Sequence, residues 1–554
     1  MEEIAFNLLR EPWIRVMKPD SSVVECSLMQ TLLDSHQYLR LAGELPTQDV
    51  AILRLLLAVL HTVFYRVDTD GEEAPLEERE DALDRWKSLW DAGHLPEQPI
   101  REYLVKYEDR FWLFHPENPF YQVPGASTSK GQPFKASKLN GELSESGNKD
   151  RLFSMRAGGN KNSMSYAEAA RWLLTQIGFD DSGSIKRETG TGTGWLGQHV
   201  NLYAAGQNLF ETLLLNLELL NDEEEPWEEN KPIWERPTKK AKKEEIPVPE
   251  NQAELLTLQS RRTILLRNGD RVTGYYATGG DFFGDKGTNA FSEQMIQWRL
   301  GKAARNAAAP FIPVKADASK MMWMDFAQIA ISRKGSYHMP GIAKWIQTLK
   351  DEGCITNQYV YFHSVGVSYD SNVSSITDVI SDHLDFHTAL LTEAGEMWRE
   401  LIEQKISQTE RAAGALRTLA DELYLAEGGS PAAGARKARA GEAAQEYYAS
   451  VDIPFRTWLR SIDPAQGDDQ ELREEKRDAW RQTAYRLAVN QGKRMVRNAG
   501  EHAFVGRWIT NQQKNGKKEN QQTHHSSAEA FDQFKKELWI CFQFKHQERG
   551  AADA

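Results

Sequence analysis

Cysteine is scarce in this chain. Its 554 residues include three, Cys26, Cys354 and Cys541, lying far apart. They supply neither a disulfide framework nor a C-x-x-C zinc knuckle, and a reducing compartment suits them. Long apolar runs are missing too. No such segment reaches about 18 residues, so no transmembrane helix is expected. Met1-Glu2-Glu3-Ile4 opens without a basic region leading into an apolar run, so no secretory signal is expected. There is no G-x-x-x-x-G-K-[ST] phosphate loop. Gly190-x-Gly192-x-Gly194 lacks both the third glycine and the βαβ frame of a dinucleotide fingerprint. No internal repeat is present. Positive charge is in deficit, with 67 Lys+Arg against 80 Asp+Glu, a net charge of −13. That balance argues against a protein that coats nucleic acid by charge alone.

What is present is apolar and aromatic. Hydrophobic residues make up 40% of the chain, and 22 Phe, 17 Tyr and 16 Trp can fill substantial cores. The length predicts more than one domain. Charge is distributed unevenly. Residues 396–554 carry 25 basic and 24 acidic side chains, so the excess of acid lies in residues 1–395. Within the second part, Arg473 to Lys518 holds 12 basic and 4 acidic residues, which predicts a basic face on one element.

Short strands are predicted around Phe6–Leu9, Trp13–Val16 and Val23–Cys26, with Pro12 at a strand edge. Leu53, Leu56, Leu57 and Leu60 give an apolar stripe to a helix over Gln48–Tyr65, and a more exposed helix follows over Leu76–Trp90. Residues 124–150 are rich in Gly, Ser, Lys and Asn and read as a mobile loop. Asn208–Leu220 reads as an apolar helix. Asn268-Gly269 between two apolar runs predicts a hairpin within 255–278. Helices are predicted near Met321–Ser332 and Gly341–Asp351, and a strand over Tyr359–Phe362. From about residue 373 the pattern reads as helical. Amphipathic segments near 373–427, 434–450, 470–499 and 527–547 are broken at Gly428-Gly429-Ser430-Pro431 and Asp463-Pro464 and predict a helical bundle.

The stretch Arg151–Gly206 is the most legible. Ser165-Tyr166-Ala167-Glu168 has the spacing of a capping box and starts a helix. Asp181-Ser182-Gly183-Ser184 and Gly190-Thr191-Gly192-Thr193-Gly194-Trp195 bracket that helix with two glycine-bearing loops. Glycine lets backbone approach a ligand where a Cβ would collide. The loops are read as meeting a nucleic-acid backbone and groove, with a flexible turn as the alternative.

Other constellations are weaker. His383 and His387 stand at i, i+4 with Asp382 and Asp385 beside them, a spacing that binds zinc on a helix, but the H-E-x-x-H base is missing. A solvated helix face is the preferred reading. Lys239–Lys243 reads as a solvated surface run, because Glu244-Glu245 follow at once; phosphate binding is the alternative. Arg477, Arg481, Arg494 and Arg497 recur at helical spacing, which suits either a nucleic-acid backbone or a salt-bridged helix.

The sequence resembles a known family. Asn7-Leu8-Leu9…Pro12-Trp13-Ile14-Arg15-Val16, Pro119-Phe120-Tyr121-Gln122, Ala167-Glu168-Ala169-Ala170-Arg171-Trp172-Leu173-Leu174 and Leu258-Gln259-Ser260-Arg261-Arg262 succeed one another as in the large subunit of the type I-E CRISPR Cascade surveillance complex, the CasA family. The resemblance covers essentially the whole chain. It implies an α+β protein: a large mixed α/β domain over residues 1–390 carrying the DNA-reading loops, then a C-terminal four-helix bundle over 391–554. It implies a non-catalytic, cytoplasmic subunit of an antiviral defence complex, without cofactor, metal or membrane contact. Expected partners are the other Cascade subunits, the 5′ end of the guide RNA, double-stranded target DNA and the helicase-nuclease that the subunit helps to dock. Such a subunit recognises the protospacer-adjacent motif, largely from the minor groove, and begins strand separation and R-loop formation.

By the same resemblance, Leu152-Phe153-Ser154-Met155 corresponds to a loop docking on guide RNA and neighbouring subunits. Ser182 and Gly183 belong to a glycine loop facing the motif. Tyr369-Asp370-Ser371-Asn372 correspond to a polar wedge, with Asn372 where a glutamine would stand. A lysine finger is expected after the 272–276 strand; Gly279 occupies its place, and Lys286 is the nearest substitute. Arg477, Arg481, Arg494 and Arg497 are expected on DNA backbone or neighbouring subunits. Two rival readings remain: a stand-alone metal-dependent enzyme using His383 and His387, and a purely architectural subunit.

Overall fold

The computed structural model describes residues 4–128, 131–143, 156–182, 192–229, 231–284, 287, 290–301, 311–430, 434–466, 470–510 and 522–543. The chain is of mixed helix and strand and divides into two compact units. One comprises residues 1–318 and 328–384; the other comprises 319–327 and 385–554.

The first unit is built around the helix Pro46–Arg66. Proline at its first position costs no hydrogen bond there. Leu53, Leu56, Leu57 and Leu60 are all buried, and so is nearly every other residue of the helix. This corrects the expectation that no segment is long and apolar enough to span a membrane. Pro46–Arg66 passes that test of length and composition, yet 94% of its most apolar window is buried inside the protein. It is a core helix. Tyr166–Phe179 packs on it, and Ser165 caps that helix by accepting from the Glu168 N–H at 3.2 Å. The reciprocal half of the capping box is absent. The Glu168 carboxylate turns to Asn140 Nδ2 at 3.1 Å and to Arg156 instead.

Three three-stranded antiparallel sheets surround these helices. Ile14–Met17 lies between Val23–Cys26 and Arg40–Leu41. Arg271–Gly279 lies between Arg261–Asn268 and Phe134–Lys135, and the hairpin turns at Gly269 as expected. Phe134–Lys135 and the buried helix Ala136–Leu139 therefore give regular structure to part of the stretch read as a mobile loop. Tyr359–Tyr369 lies between Asn201–Ala205 and Ile376–His387. The apolar helix expected over 208–220 ends at Leu215.

The strand Ile376–His387 corrects the reading of helix from residue 373. Ile376, Thr377, Val379 and Ile380 are β-branched and suit a strand. Leu384 and Phe386, alternating with His383 and Asp385, are fully buried. Short 3-10 turns follow at Thr388–Leu390 and Glu393–Gly395, and the first long α-helix begins at Glu396.

The second unit contains four long helices: Glu396–Ala426, Gly434–Arg460, Gln470–Asn498 and Ser527–Phe542. The first of them packs against the other three. Trp480 Nε1 donates to Thr409 Oγ1 at 3.1 Å, Tyr447 donates its hydroxyl to Ala484 O at 3.0 Å, and Phe455 meets Trp480 edge to face. The second helix runs past its predicted end at residue 450, through Pro454. Proline removes one helical hydrogen bond, but Phe455, Trp458 and Leu459 beyond it are buried, and their packing carries the helix on.

Candidate nucleic-acid interface

The first glycine-bearing loop leaves the end of the helix Tyr166–Phe179. Its two described feet, Asp180–Ser182 and Gly192–Gly194, are fixed by one side chain. Arg261, at the start of its strand, is 2% exposed. Its Nε donates to Asp180 Oδ2 at 3.0 Å, and Nη2 donates to Asp181 O at 3.0 Å and to Gly192 O at 2.9 Å. One guanidinium thus holds both ends of the loop. Lys138 adds an ion pair to Asp181 at 3.1 Å. Gly194 N–H donates to Asp180 O at 2.9 Å.

In the second glycine run, Gly194 serves the packing of the chain on itself, whereas Gly192 has room for a Cβ and Gly190 lies outside the described residues. A Cβ on Gly194 would lie 2.2 Å from Gly178 O. The absent side chain lets this segment close on the helix Tyr166–Phe179 itself. Gly197 serves a similar end, since a Cβ would fall 1.8 Å from the Tyr369 hydroxyl oxygen.

The loop foot meets the predicted wedge directly. Ser182 N–H donates to Val373 O at 3.0 Å, and Ser182 Oγ donates to the same oxygen at 2.8 Å, across 191 positions of sequence. Tyr369 closes its strand with the ring largely buried, donating its hydroxyl to Phe179 O at 2.7 Å; burial pushes that hydroxyl's pKa well up. The Asp370 carboxylate accepts from Ser374 N and Oγ, each at 2.6 Å, and from Ser375 Oγ at 3.3 Å. Both residues therefore hold the turn. Ser371 and Asn372 form its exposed tip. Val373 follows at φ +54°, an uncomfortable conformation for a β-branched residue. Such strain persists only where surrounding bonds fix it, and here Ser182 and Asp370 do so.

Beneath the loop lies a buried polar anchor. Arg54 grips Glu293 through two bonds of 2.8 and 2.7 Å, and Trp195 Nε1 donates to Glu293 Oε2 at 3.0 Å. Burial alone would raise the Glu293 pKa, but Arg54 outweighs it and holds the carboxyl down at about 2. Burial lowers His199, whose ring meets Trp195, to about 4. Ser260 Oγ accepts from the Trp195 N–H at 3.0 Å. A cavity of about 460 Å³ opens beside these groups, lined by Gly192, Thr193, Trp195, Arg261, Asp281 and Phe282 among others.

Other predicted residues fall elsewhere. Gly183, Lys286, Leu152, Phe153, Ser154 and Met155 lie outside the described residues. Gly279 ends its strand. His383 and His387 sit on a strand, not a helix, so their four-residue spacing separates them by roughly 13 Å. His383 approaches the His363 ring at 6.0 Å, whereas His387 Nε2 lies 3.0 Å from Asp463. They cannot share one metal ion. Among the described residues no group of three His, Cys, Asp or Glu side chains is arranged to hold one.

The four bundle arginines do not form the single basic face read from their spacing. At 3.6 residues per turn, the pair Arg477 and Arg481 lies roughly 100–160° around the helix from Arg494 and Arg497. Arg477 and Arg481 pair with Asp478 and stand near Lys405. Burial first, then those two arginines, lowers the Lys405 pKa to about 8. Arg494 reaches Glu446 on the neighbouring helix. Arg494 and Arg497 are exposed.

Arg261 stands in the run Leu258–Arg262, yet its clamp is not visible in the local sequence. Two consecutive arginines at the start of an apolar strand were the available signal, since a buried guanidinium requires several acceptors.

The profile of a family described as CRISPR-associated protein Cse1 matches residues 7–491. A CasA/Cse1 protein of Thermus thermophilus is 30% identical over 436 residues, covering 76% of this chain and 78% of that protein. The crystal structure of Thermobifida fusca Cse1 superposes with a TM-score of 0.78 at 27% identity, covering 97% of this chain and 98% of that one. A chain of a CRISPR RNA-guided surveillance complex shares the fold, with a TM-score of 0.65 at 16% identity, covering 97% of this chain and all of that one.

Proposed function

Because the chain belongs to the CRISPR-associated Cse1 (CasA) family, we propose that it is the non-catalytic large subunit of a type I-E Cascade complex that inspects double-stranded DNA for the protospacer-adjacent motif. It works in the cytoplasm with the other Cascade subunits and the 5′ end of the guide RNA. It begins strand separation and R-loop formation, and it docks the helicase-nuclease. The first 390 residues carry the reading loops, and residues 391–554 form the helical bundle. The supporting observation is the junction of Ser182 with Val373, which joins the glycine-loop foot to an exposed polar tip.

The chemistry of each part suits the task. A minor groove offers few distinguishing groups, so its reader needs close backbone approach and one or two polar tips. Gly183 supplies the first, and Ser371 and Asn372 the second. Ser182, Tyr369 and Asp370 hold that tip in place. Driving a side chain between base pairs costs a few kcal/mol of unstacking, which the bent or opened duplex must offset. Guide pairing then carries sequence specificity, leaving the protein to read the motif and the backbone. Lys286, which follows Arg271–Gly279 in sequence, is assigned as a further DNA contact. Leu152-Phe153-Ser154-Met155 dock on guide RNA and neighbouring subunits. Arg494 and Arg497 face backbone or a neighbouring subunit, with Arg477 and Arg481 on another side of the same helix.

The test is binding of the assembled complex to duplexes carrying a library of flanking trinucleotides. Gly183→Leu removes motif dependence while the complex still assembles. Asn372→Ala slows strand opening more than initial duplex capture. Binding that ignores the flanking trinucleotide in the wild type would instead make this an architectural subunit.

A further inference from the structure

The lysine run Lys239-Lys240-Ala241-Lys242-Lys243 has so far no role. Its sequence suggested a solvated stretch neutralised by Glu244-Glu245. The fold distributes those charges differently. Glu244 and Glu245 form a short parallel pairing with Asp281 and Phe282. Lys239 Nζ lies 3.5 Å from both Glu244 and Asp281. Lys243 Nζ lies over the Phe282 ring, 5.9 Å from its centroid. Glu244 also faces Arg262 at 3.8 Å. Lys240 and Lys242 are left exposed with no side-chain partner among the described residues.

Their backbone is not left to solvent. Arg262 is fully buried. Its Nε donates to Lys240 O at 3.2 Å, and its Nη2 donates to Asp281 Oδ1 at 2.6 Å. The preceding residue, Arg261, holds both feet of the glycine loop. Two consecutive arginines therefore fix the loop and the lysine run to the start of one strand. The 460 Å³ cavity is lined by the loop-foot residue Gly192, by Arg261 and by Asp281, which Lys239 faces.

We infer that Lys240 and Lys242 contact the phosphate backbone of the duplex whose groove the glycine loop reads. This rests on the proposed reading of that loop. In a protein of net charge −13, two exposed lysines without a side-chain partner among the described residues, tied through Arg262 to the strand whose Arg261 ties the loop feet, are where a polyanion gains most. The contact is to phosphates, so it carries affinity and register but no sequence information.

The experiment uses the assembled, guide-loaded complex and a labelled duplex target, with affinity measured between about 50 and 200 mM salt. Each phosphate neutralised contributes about 0.9 to the slope of log affinity against log salt. The double variant K240A/K242A flattens that slope by about 2, weakens binding roughly tenfold at physiological salt and preserves the ranking of flanking trinucleotides. Gly183→Leu does the reverse: the ranking collapses and the slope stays. An unchanged slope in K240A/K242A overturns the lysine contact and leaves the motif reading standing. Failure of the lysine variant to join the complex also overturns it, since the run would then be a subunit contact. A flattened slope with an intact ranking in Gly183→Leu keeps the phosphate contact and removes the motif reading.

Discussion

Replacing Arg261 with methionine keeps most of the aliphatic stem and deletes the guanidinium. Four backbone carbonyls, those of Asp180, Asp181, Gly192 and Ser260, then lose a donor. The Asp180 carboxylate keeps only a 3.3 Å bond from Gln176 Nε2 among the side-chain bonds described for it. Breaking a buried ion pair by removing one partner costs about 3–5 kcal/mol. Each unpaired buried carbonyl would add about 1–3 kcal/mol if it stayed buried. The loop lowers that second cost by opening to water, so the expected loss of stability is about 3–5 kcal/mol. The opening is itself the functional defect, because the feet at Asp181 and Gly192 are no longer held together. Chemical denaturation followed by tryptophan fluorescence measures the first effect, with Trp195 next to the loop foot as reporter. Flanking-motif preference of the assembled complex measures the second. Arg261→Lys should fall between, keeping a charge for Asp180 without a fork that spans the two feet. An Arg261→Met protein with wild-type denaturation midpoint and motif preference would refute the clamp.

Two further outcomes follow from the same region. Gly194→Ala places a Cβ 2.2 Å from Gly178 O, a backbone atom that cannot swing away; a cost of about 1–3 kcal/mol is expected by thermal unfolding, and a neutral result would disprove the close approach. Glu293 has a folded pKa near 2, below its ordinary 4.5. Its contribution is therefore present above about pH 4.5 and lost as pH falls toward 2, so Glu293→Gln should lower stability at pH 7 and flatten its dependence between those values, and an equally steep acid limb in the variant would show the assignment wrong.

Some of this was legible locally. The helix start at Ser165 depends on one hydroxyl and one N–H three residues away, and such bonds can be read from spacing. The hairpin at Gly269 and the stripe Leu53–Leu60 are equally local. The strand Ile376–His387 is hard to read because it directly precedes long amphipathic helices in sequence. Its Asp and His residues mimic a polar helical face, while the decisive burial of Leu384 and Phe386 comes from elsewhere in the chain. The bundle arginines fall on two sides of one helix for the related reason that spacing gives a helix but not which of its sides packs. Glu168 left its capping box because Asn140 and Arg156 compete for the carboxylate.

The amino-acid sequence alone determined the family, the α+β class, the helices with their own caps and stripes, and the chemistry available in the loops. Those properties depend on residues a few positions apart. The tertiary structure decided which loops meet. Ser182 reaches Val373, Arg261 gathers Asp181 and Gly192, and Arg262 holds Lys240 only when segments tens to nearly two hundred residues apart pack together. A buried guanidinium takes whatever acceptors the fold delivers to it, and no local pattern states in advance which those are.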